Sequence, residues 1–397
     1  MSDTPTEATR VTTLELFFDL VFVFTITQLT TVLAREPNVR GVLQVALMLG
    51  VIWWMYGGYA WLTNAVAPDR AERRLLLFGG MAAFLVLALA PPRAFSDSGP
   101  AFGLAYLAVV SVHTVMFTRA SSARTVRAIL RLAPYNLVSA LVVLLACLIG
   151  GTAEYLLWAL AVVLEWVTPR LSSTSGFEIA PAHFVERHGL VVLIAIGESV
   201  VAIGSGAIGL RVDLPRAGVA VLGLLLSACL WWTYFGGDDQ RAEHALTEAT
   251  PDRRPSLALS AFGYWHLPML LGIIAIASAL REIVGHAFTD LTDARAFALA
   301  GGVALFLLGD VFYRRSLGIG SNHWRAGMSA LALATIPLGA AVAATAQLAA
   351  LVALLGAGFG AEYLAASRKP GAEEQRRGDP DEPEHMPASE VVRPLGE

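Results

Sequence analysis

The chain has 397 residues, of which 56% are hydrophobic and 15% charged, and its formal net charge is -4. An ordinary soluble domain carries about 25% charged residues, so this composition excludes one and predicts an all-α polytopic membrane protein. The slightly acidic balance, without a dense run of lysine and arginine, excludes a nucleic-acid-binding surface. The lipid bilayer is therefore the first predicted partner.

Hydropathy and helix-breaking residues predict about twelve transmembrane helices, each near the roughly 20 residues that a bilayer core requires. In chain order they cover 13–34, 41–62, 74–92, 100–118, 132–150, 152–168, 184–208, 217–236, 257–280, 294–313, 326–345 and 347–366. Residues 1–12 are polar without a cleavage-type signal, which predicts a retained N-terminus. Residues 367–397 are rich in Glu, Arg, Pro and Gly, which predicts a disordered tail.

The distribution of Lys and Arg predicts the orientation of these spans. Lys and Arg together number 20 in the termini and in the connections on the same side, against 7 in the opposite connections. Because positively charged loops remain in the cytoplasm, both termini are predicted to be cytoplasmic.

Matching motifs predict an internal repeat of two parallel six-helix units, 13–168 and 184–366, joined by a cytoplasmic linker at 169–183. Six is an even number, so the two copies have the same orientation and sites are expected between them. The offsets between partners run from 171 to 198 residues, as small insertions in loops would produce. The matches are Glu15 with Glu186, Trp53-Trp54 with Trp231-Trp232, Pro68-Asp69-Arg70 with Pro251-Asp252-Arg253, Arg119 with Arg314, Arg127-Ala128 with Arg325-Ala326, and Glu165 with Glu362. We interpret the tryptophan pairs as interface anchors or packing residues.

The first predicted span begins with two acids, Glu15 and Asp19, one helical turn apart. Glu15 is close enough to the helix N-terminus for the helix dipole to favour its charge. Asp19 lies too deep for that explanation. We therefore interpret Asp19 as a residue that lines a pathway for a cation or a proton.

The seventh predicted span carries Glu198 near the depth of the bilayer centre, where lipid penalises a charge. On a helical projection Arg187 and Glu198 share a polar stripe that ends at Val201 and Ser205, and we interpret this stripe as a cavity wall. The alternative, a structural hydrogen bond from Glu198 to a neighbouring helix, stays open.

A second stripe of the same span contains small residues. Gly197 and Gly204 fall on it together with Glu186. Glycines two turns apart let another backbone approach, so we predict a packing seam there.

Further titratable residues are spread over the other predicted spans. His113 and His266 belong to the type of residue that builds proton relays, although a single hydrogen bond to a carbonyl is the plainer alternative for each. Glu165, Asp310 and Glu362 lie near span ends and are expected to be solvated or paired with arginine.

The sequence predicts no metal site, no cofactor and no catalytic residues. His183, Glu186 and His188 are close in sequence, but His188 lies about 200° from Glu186 around a helix, so the three do not close on one ion unless the helix begins later. No zincin motif, phosphate loop, dinucleotide glycine motif or nucleophile elbow stands in a plausible strand-turn-helix context.

Two segments resemble the signature regions of the bacterial low temperature requirement protein A family. They are VTTLELFFDLVFVFTITQLT at Val11–Thr30 and HFVERHGLVVLIAIGESVVAIG at His183–Gly204. The resemblance extends from the first span to about residue 366. It implies an integral protein of the bacterial inner membrane that is associated with growth in the cold, and it implies a location more firmly than a reaction.

A second resemblance concerns Phe18-Asp19 and the apolar residues that follow. This segment is similar to the pore-lining first helix of potassium channels built from two six-helix repeats. That motif is Phe-Ser-Asp preceded by an arginine, whereas Phe18 stands at the serine position here and the second copy has Gly189-Leu190.

The leading hypothesis is a transporter or channel for a small solute or ion, with coupling to protons left open. Asp19 and Glu198 are the predicted protonatable or cation-contacting groups, and Arg187 is the predicted partner that sets their charge state. Glu15, Glu186, His266 and His113 are further candidates along the pathway. A membrane-embedded enzyme or a sensor that acts on lipid composition is the alternative, and a homo-oligomer remains open.

Overall fold

The computed structural model describes residues 11–65, 70–119, 122–172, 177–211 and 213–367, and within these ranges all regular secondary structure is helical. The predicted disordered tail and most of the predicted cytoplasmic N-terminus lie outside the described residues. The central part of the predicted linker 169–183 does so too, while its two ends are helical.

The first half of the described chain forms six long helices that match the first six predicted spans in order. They are α1 (Thr13–Arg35), α2 (Val39–Ala65), α3 (Ala71–Leu89), α4 (Gly99–Thr118), α5 (Ala123–Ile149) and α6 (Gly151–Ser172). α1 begins at a capping box, because Thr12 Oγ1 accepts from the Glu15 amide and the Glu15 carboxylate accepts from the Thr12 amide. This cap fixes Glu15 at the first turn of α1.

The second half is more broken. Its helices are α7 (Pro181–Gly206), α8 (Leu214–Phe235), α9 (Asp238–Glu248), α10 (Arg254–Ala258), α11 (His266–Ile283), α12 (Asp293–Leu317), α13 (His323–Leu333), α14 (Ile336–Ala341) and α15 (Ala344–Ser367). A π-helical segment, Leu259–Tyr264, joins α10 to α11. Helix α9 was not predicted, and Gly237 before it has a φ of 99°, a left-handed conformation that suits glycine.

The predicted span 326–345 is not one helix, which corrects the sequence-based interpretation. α13 ends at Leu333 and α14 begins two residues after Ala334, with Pro337 in its first turn. Proline has no amide hydrogen to donate, so it favours a helix start and opposes continuation. Apolar composition over this stretch did not distinguish one long helix from two short ones.

Ten helical stretches among the described residues are long and apolar enough to cross a membrane. They comprise α1 to α5, α7, the stretches Leu214–Glu248 and Arg254–Ile283, α12 and α15. α6 is outside this set, and α13 and α14 are too short for it. These ten stretches indicate a multi-pass membrane protein.

The order in which neighbouring helices pack is similar in the two halves. In the first half α1 packs on α2 and α3, α3 on α4, α4 on α5, α5 on α6, and α2 on α6. In the second half α7 packs on α8 and α11, α11 on α12, α12 on α13, α13 on α15, and α8 on α15. The halves meet where α1 and α2 contact α7 and α11, which we call the joint.

Candidate functional site

Three buried charged side chains meet at the joint. Arg187 of α7 lies 3.3 Å from Glu15 and 3.2 Å from Asp19, both of α1. All three side chains are at most 1% exposed. Two carboxylates and one guanidinium, brought together from positions about 170 residues apart, form what we call the joint cluster.

Two side chains of α2 form further hydrogen bonds with the joint cluster. Tyr56 donates its hydroxyl to Asp19 Oδ1 at 2.9 Å, and Arg187 donates to the hydroxyl of Thr63. Asp19 Oδ2 is buried and has no hydrogen-bond partner among the described residues. An unbonded carboxylate oxygen in a buried site is costly, so this atom is the natural place for a proton or a cation.

The hydrogen bonds of Asn64 connect α2 to His183. Asn64 Oδ1 accepts from the Ala180 amide at 2.9 Å and its Nδ2 donates to the Ala180 carbonyl at 3.2 Å, which fixes the amide orientation. The same Nδ2 lies 3.1 Å from His183 Nδ1. His183 Nε2 lies 3.1 Å from Glu15, so His183 links Asn64 to the joint cluster.

The formal charges of the joint cluster do not balance. One guanidinium faces two carboxylates, which leaves one negative charge. Buried charge at membrane depth is expensive unless it is compensated. Uptake of one proton or one cation would compensate it.

Glu198 is separate from the joint cluster, which corrects the prediction that Arg187 sets its charge state. Its carboxylate accepts from the hydroxyl of Thr27 of α1 at 2.6 Å, and one turn further along α1 Thr31 accepts from Arg281 at 3.3 Å. Glu198 is 5% exposed. It is eleven residues beyond Arg187, about 16 Å along the helix axis.

A mainly apolar segment separates the two polar regions of the joint. Between Asp19 and Thr27, α1 buries Phe22, Ile26 and one hydroxyl residue, Thr25, each 0% exposed. The ring of Phe22 packs against Trp53 and Tyr56 of α2 at centroid distances of 5.9 and 4.3 Å. The gap is eight residues long, about 12 Å.

The contacts of α7 also correct three predictions about its faces. A Cβ at Gly197 or Gly204 would meet no atom within 4 Å among the described residues, so these glycines do not form the predicted packing seam. Glu186 is exposed and accepts from the Val11 amide, apart from the joint cluster. Val201 is 54% exposed, so the predicted polar stripe is not a continuous cavity wall. The closest backbone approach of α7 is instead at Gly206, against Arg281.

The two candidate histidines differ in their environments. His266 is fully bonded, with Nε2 2.9 Å from the Tyr234 hydroxyl and Nδ1 3.1 Å from the Ala261 carbonyl. His113 is 2% exposed, and the backbone of Gly58 is the hydrogen-bonding group next to its ring. This contact agrees with the predicted single bond to a carbonyl.

The acids near span ends also differ from one another. Glu362 and Asp310 are paired with arginine as predicted, since Arg325 contacts both and Arg314 contacts Glu362. Their cluster includes Asp238, which has Arg241 3.0 Å away, so three acids face three arginines.

Glu165 has no such partner. It is 1% exposed and accepts from the hydroxyls of Tyr106 and Ser139, without a cation next to it among the described residues. The expectation that it is solvated or paired with arginine was wrong.

Comparison with known proteins places the chain in a family. Residues 10–359 match the family described as bacterial low temperature requirement A protein (LtrA). The chain belongs to the LtrA family. A relative from Rhizobium meliloti (strain 1021), described as an uncharacterized protein, is 28% identical over 322 residues, which are 78% of each chain. No solved structure matches the chain. Family membership and the ten apolar helical stretches make this LtrA protein an integral multi-pass membrane protein.

The structure of this LtrA family member adds residues that sequence reasoning missed. Tyr56 and Thr63 of α2 form hydrogen bonds with the joint cluster, and Asn64 of α2 contacts His183. A tyrosine, a threonine and an asparagine in an apolar span do not by themselves indicate a site. His183 was considered only as a metal ligand. The sequence suggested Glu186, three residues away, as its neighbour in a metal site. The structure instead places His183 next to Glu15 of the first half.

Proposed function

We propose that the protein is a transporter or channel of the bacterial inner membrane that moves a small ion or solute along the joint, with a proton or cation held at Asp19. The observation that carries this proposal is the joint cluster, in which two buried carboxylates face one guanidinium and Asp19 Oδ2 has no partner among the described residues. Intramembrane charges that are not neutralised mark ion pathways and proton relays.

Polar groups along α1 support a path through the joint. They extend from Glu15 and Asp19 at one end to Thr27 and Thr31 at the other, which is about 24 Å along the helix. Glu198 and Arg281 contact the second pair from α7 and α11. This length covers most of a bilayer core about 30 Å thick.

The similar packing order of the two halves supports the predicted pair of parallel six-helix repeats with the pathway between them. α1 and α7 also run in the same direction, because Glu15 is near Arg187 while Thr27 is near Glu198. In this arrangement α6 and the broken pair α13 and α14 take the place of the remaining two spans. Both termini lie in the cytoplasm, in accord with the distribution of Lys and Arg.

Ion flux into liposomes tests the proposal. The full chain is reconstituted, an acid pulse is followed with an internal pH dye, and rubidium uptake is measured in parallel. We expect Asp19→Asn to lower proton or rubidium flux about tenfold or more, because a neutral amide removes the site at a cost of more than about 1.4 kcal/mol in barrier height.

The matched control is Asp213→Asn, at an exposed position that caps α8. Asparagine is an equally good N-cap, so this variant loses one acid without losing the helix start and is expected to retain wild-type flux. Equal flux in wild type and Asp19→Asn would remove Asp19 from the pathway.

The apolar segment predicts a second effect on flux. Phe22 fills the gap between the two polar regions, and hydrophobic constrictions block ions by excluding water. We expect Phe22→Ala to admit water and raise the basal flux, whereas Phe22→Leu keeps the gap dry. The measurement is the same liposome assay, and a lower flux in Phe22→Ala than in wild type would contradict a constriction at this level.

A further inference from the structure

A cavity lined by aromatic side chains lies beside the joint. It encloses about 80 Å³ and is open at its mouth. Its walls come from both halves of the chain, with Trp53, Trp54, Phe117 and His113 from the first half and His188 and Gly263 from the second. One water molecule needs about 10–15 Å³ of such space, so the cavity has room for several water molecules or for part of a ring that extends into the mouth.

The most unusual wall residue is His113. Its imidazole is 2% exposed and packs against the rings of Tyr59 and Phe117 at centroid distances of 5.3 and 5.0 Å. A neutral imidazole offers one donor and one acceptor, and the Gly58 backbone is the partner for the donor. The acceptor nitrogen has no partner among the described residues, which is costly in a buried site and calls for a hydrogen-bond donor inside the cavity.

The wall also has features that make room for a ligand. Gly58 lies against His113, where a Cβ would come within 2.9 Å of Nε2, and a Cβ at neighbouring Gly57 would meet nothing within 4 Å. The opposite wall is the π-helical segment, whose Gly263 carbonyl accepts from Trp53 Nε1 at 2.8 Å. Short π-helical segments occur often at functional sites.

The chemistry of the walls defines the class of ligand. No Asp, Glu, Lys or Arg lines the cavity in the described part of the chain, so a charged ligand would be left without compensation. Tryptophan and phenylalanine rings favour flat ring systems by stacking and edge contacts. Besides the two histidines, the wall includes the polar side chain of Asn136, which accepts from Trp54 Nε1 at 3.2 Å.

We infer that this cavity binds a neutral, flat ring molecule carrying one hydroxyl group, with that hydroxyl donating to His113 and the ring between Trp53, Trp54 and Phe117. The site is distinct from the joint cluster, although Trp53 also stacks on Tyr56, which donates to Asp19. Two rings, those of Trp53 and Tyr56, therefore lie between the ligand and Asp19. Ligand binding is measured separately from ion flux.

Photolabelling of the full chain in lipid vesicles tests this site. The probe is a phenol that carries a trifluoromethyl diazirine, and the labelled residues are located by mass spectrometry. We expect saturable labelling of cavity-wall residues. Unlabelled phenol should compete at a concentration at least about tenfold below that of toluene, because toluene has the ring without the hydrogen-bonding group.

Variants separate recognition by His113 from simple partition into lipid. His113→Phe keeps a ring and removes both nitrogens, and it should lower the saturable labelling about tenfold or more. Trp231→Phe changes the exposed tryptophan that matches Trp53 in the other half and should leave the labelling unchanged. Labelling that does not saturate overturns the inference, and so does equal competition by phenol and toluene. Both measurements use the wild-type chain, so they do not depend on whether a variant folds.

Discussion

Replacing Arg187 by methionine is expected to lower the free energy of unfolding by about 3–5 kcal/mol, the usual cost of removing one partner from a buried ion pair. Methionine fills much of the volume of the side chain, so the loss comes from charge and hydrogen bonding. Glu15 and Asp19 would face each other without a cation, and Thr63 would lose its donor. Denaturant unfolding of the detergent-solubilised protein measures the change.

A compensated variant distinguishes charge from packing. In the triple variant Arg187→Met, Asp19→Asn, Glu15→Gln, no charge remains in the joint cluster, and glutamine still serves in the capping box of α1. We expect it to recover most of the lost stability while its ion flux stays low. Failure of the triple variant to regain stability would show that Arg187 acts through packing.

An exposed arginine provides the control for this series. Arg216 pairs with Asp213 at the start of α8, where both side chains are partly exposed. Exposed ion pairs contribute little because water and salt screen them. Arg216→Met is therefore expected to unfold close to wild type, and a loss as large as that of Arg187→Met would contradict the argument from burial.

The second large effect is expected at the contact between α11 and α12. A Cβ at Gly302 would lie 2.8 Å from the Gly272 carbonyl oxygen and 3.0 Å from the Ile276 amide nitrogen. A Cβ at Gly272 would lie 2.6 Å from the Gly302 carbonyl oxygen. Both clashes are with backbone, which cannot move aside as a flexible side chain can.

Gly302→Ala should therefore lower the free energy of unfolding by about 1–3 kcal/mol, since overpacking forces the two helices apart. Gly356→Ala in α15 is the matched control, because a Cβ there would meet no atom within 4 Å among the described residues. Alanine favours helix over glycine, so the control should be neutral or slightly more stable. Equal unfolding of the two variants would contradict the close approach of α11 and α12.

Several features of the site follow from the sequence because they are local along the chain. The capping box that holds Glu15 needs only Thr12 three residues earlier, and Asp19 must lie one turn deeper on the same helix. The apolar length around Glu198 placed that acid inside a helix. The prediction that Asp19 and Glu198 are buried acids rested on the same local hydropathy.

The partners of these charges could not be predicted, because each partner comes from another helix. Arg187 lies on the same predicted stripe as Glu198, yet it turns to Asp19 and Glu15 of α1, while Glu198 meets Thr27. Periodicity gives the face of a helix and does not tell which helix that face meets. For the same reason Gly197 and Gly204 looked like a packing seam, although the backbone contacts form at Gly206 and Gly302.

Local patterns in the sequence predict a helical membrane protein, most of its helices and the helices that carry acids. Hydropathy, caps and prolines act over a few residues, so they can be read from the chain. The packing of the helices sets the remaining features: one guanidinium faces two carboxylates, and His113 lies at the wall of a cavity. Charge balance and empty space depend on distances between helices, which no segment specifies alone.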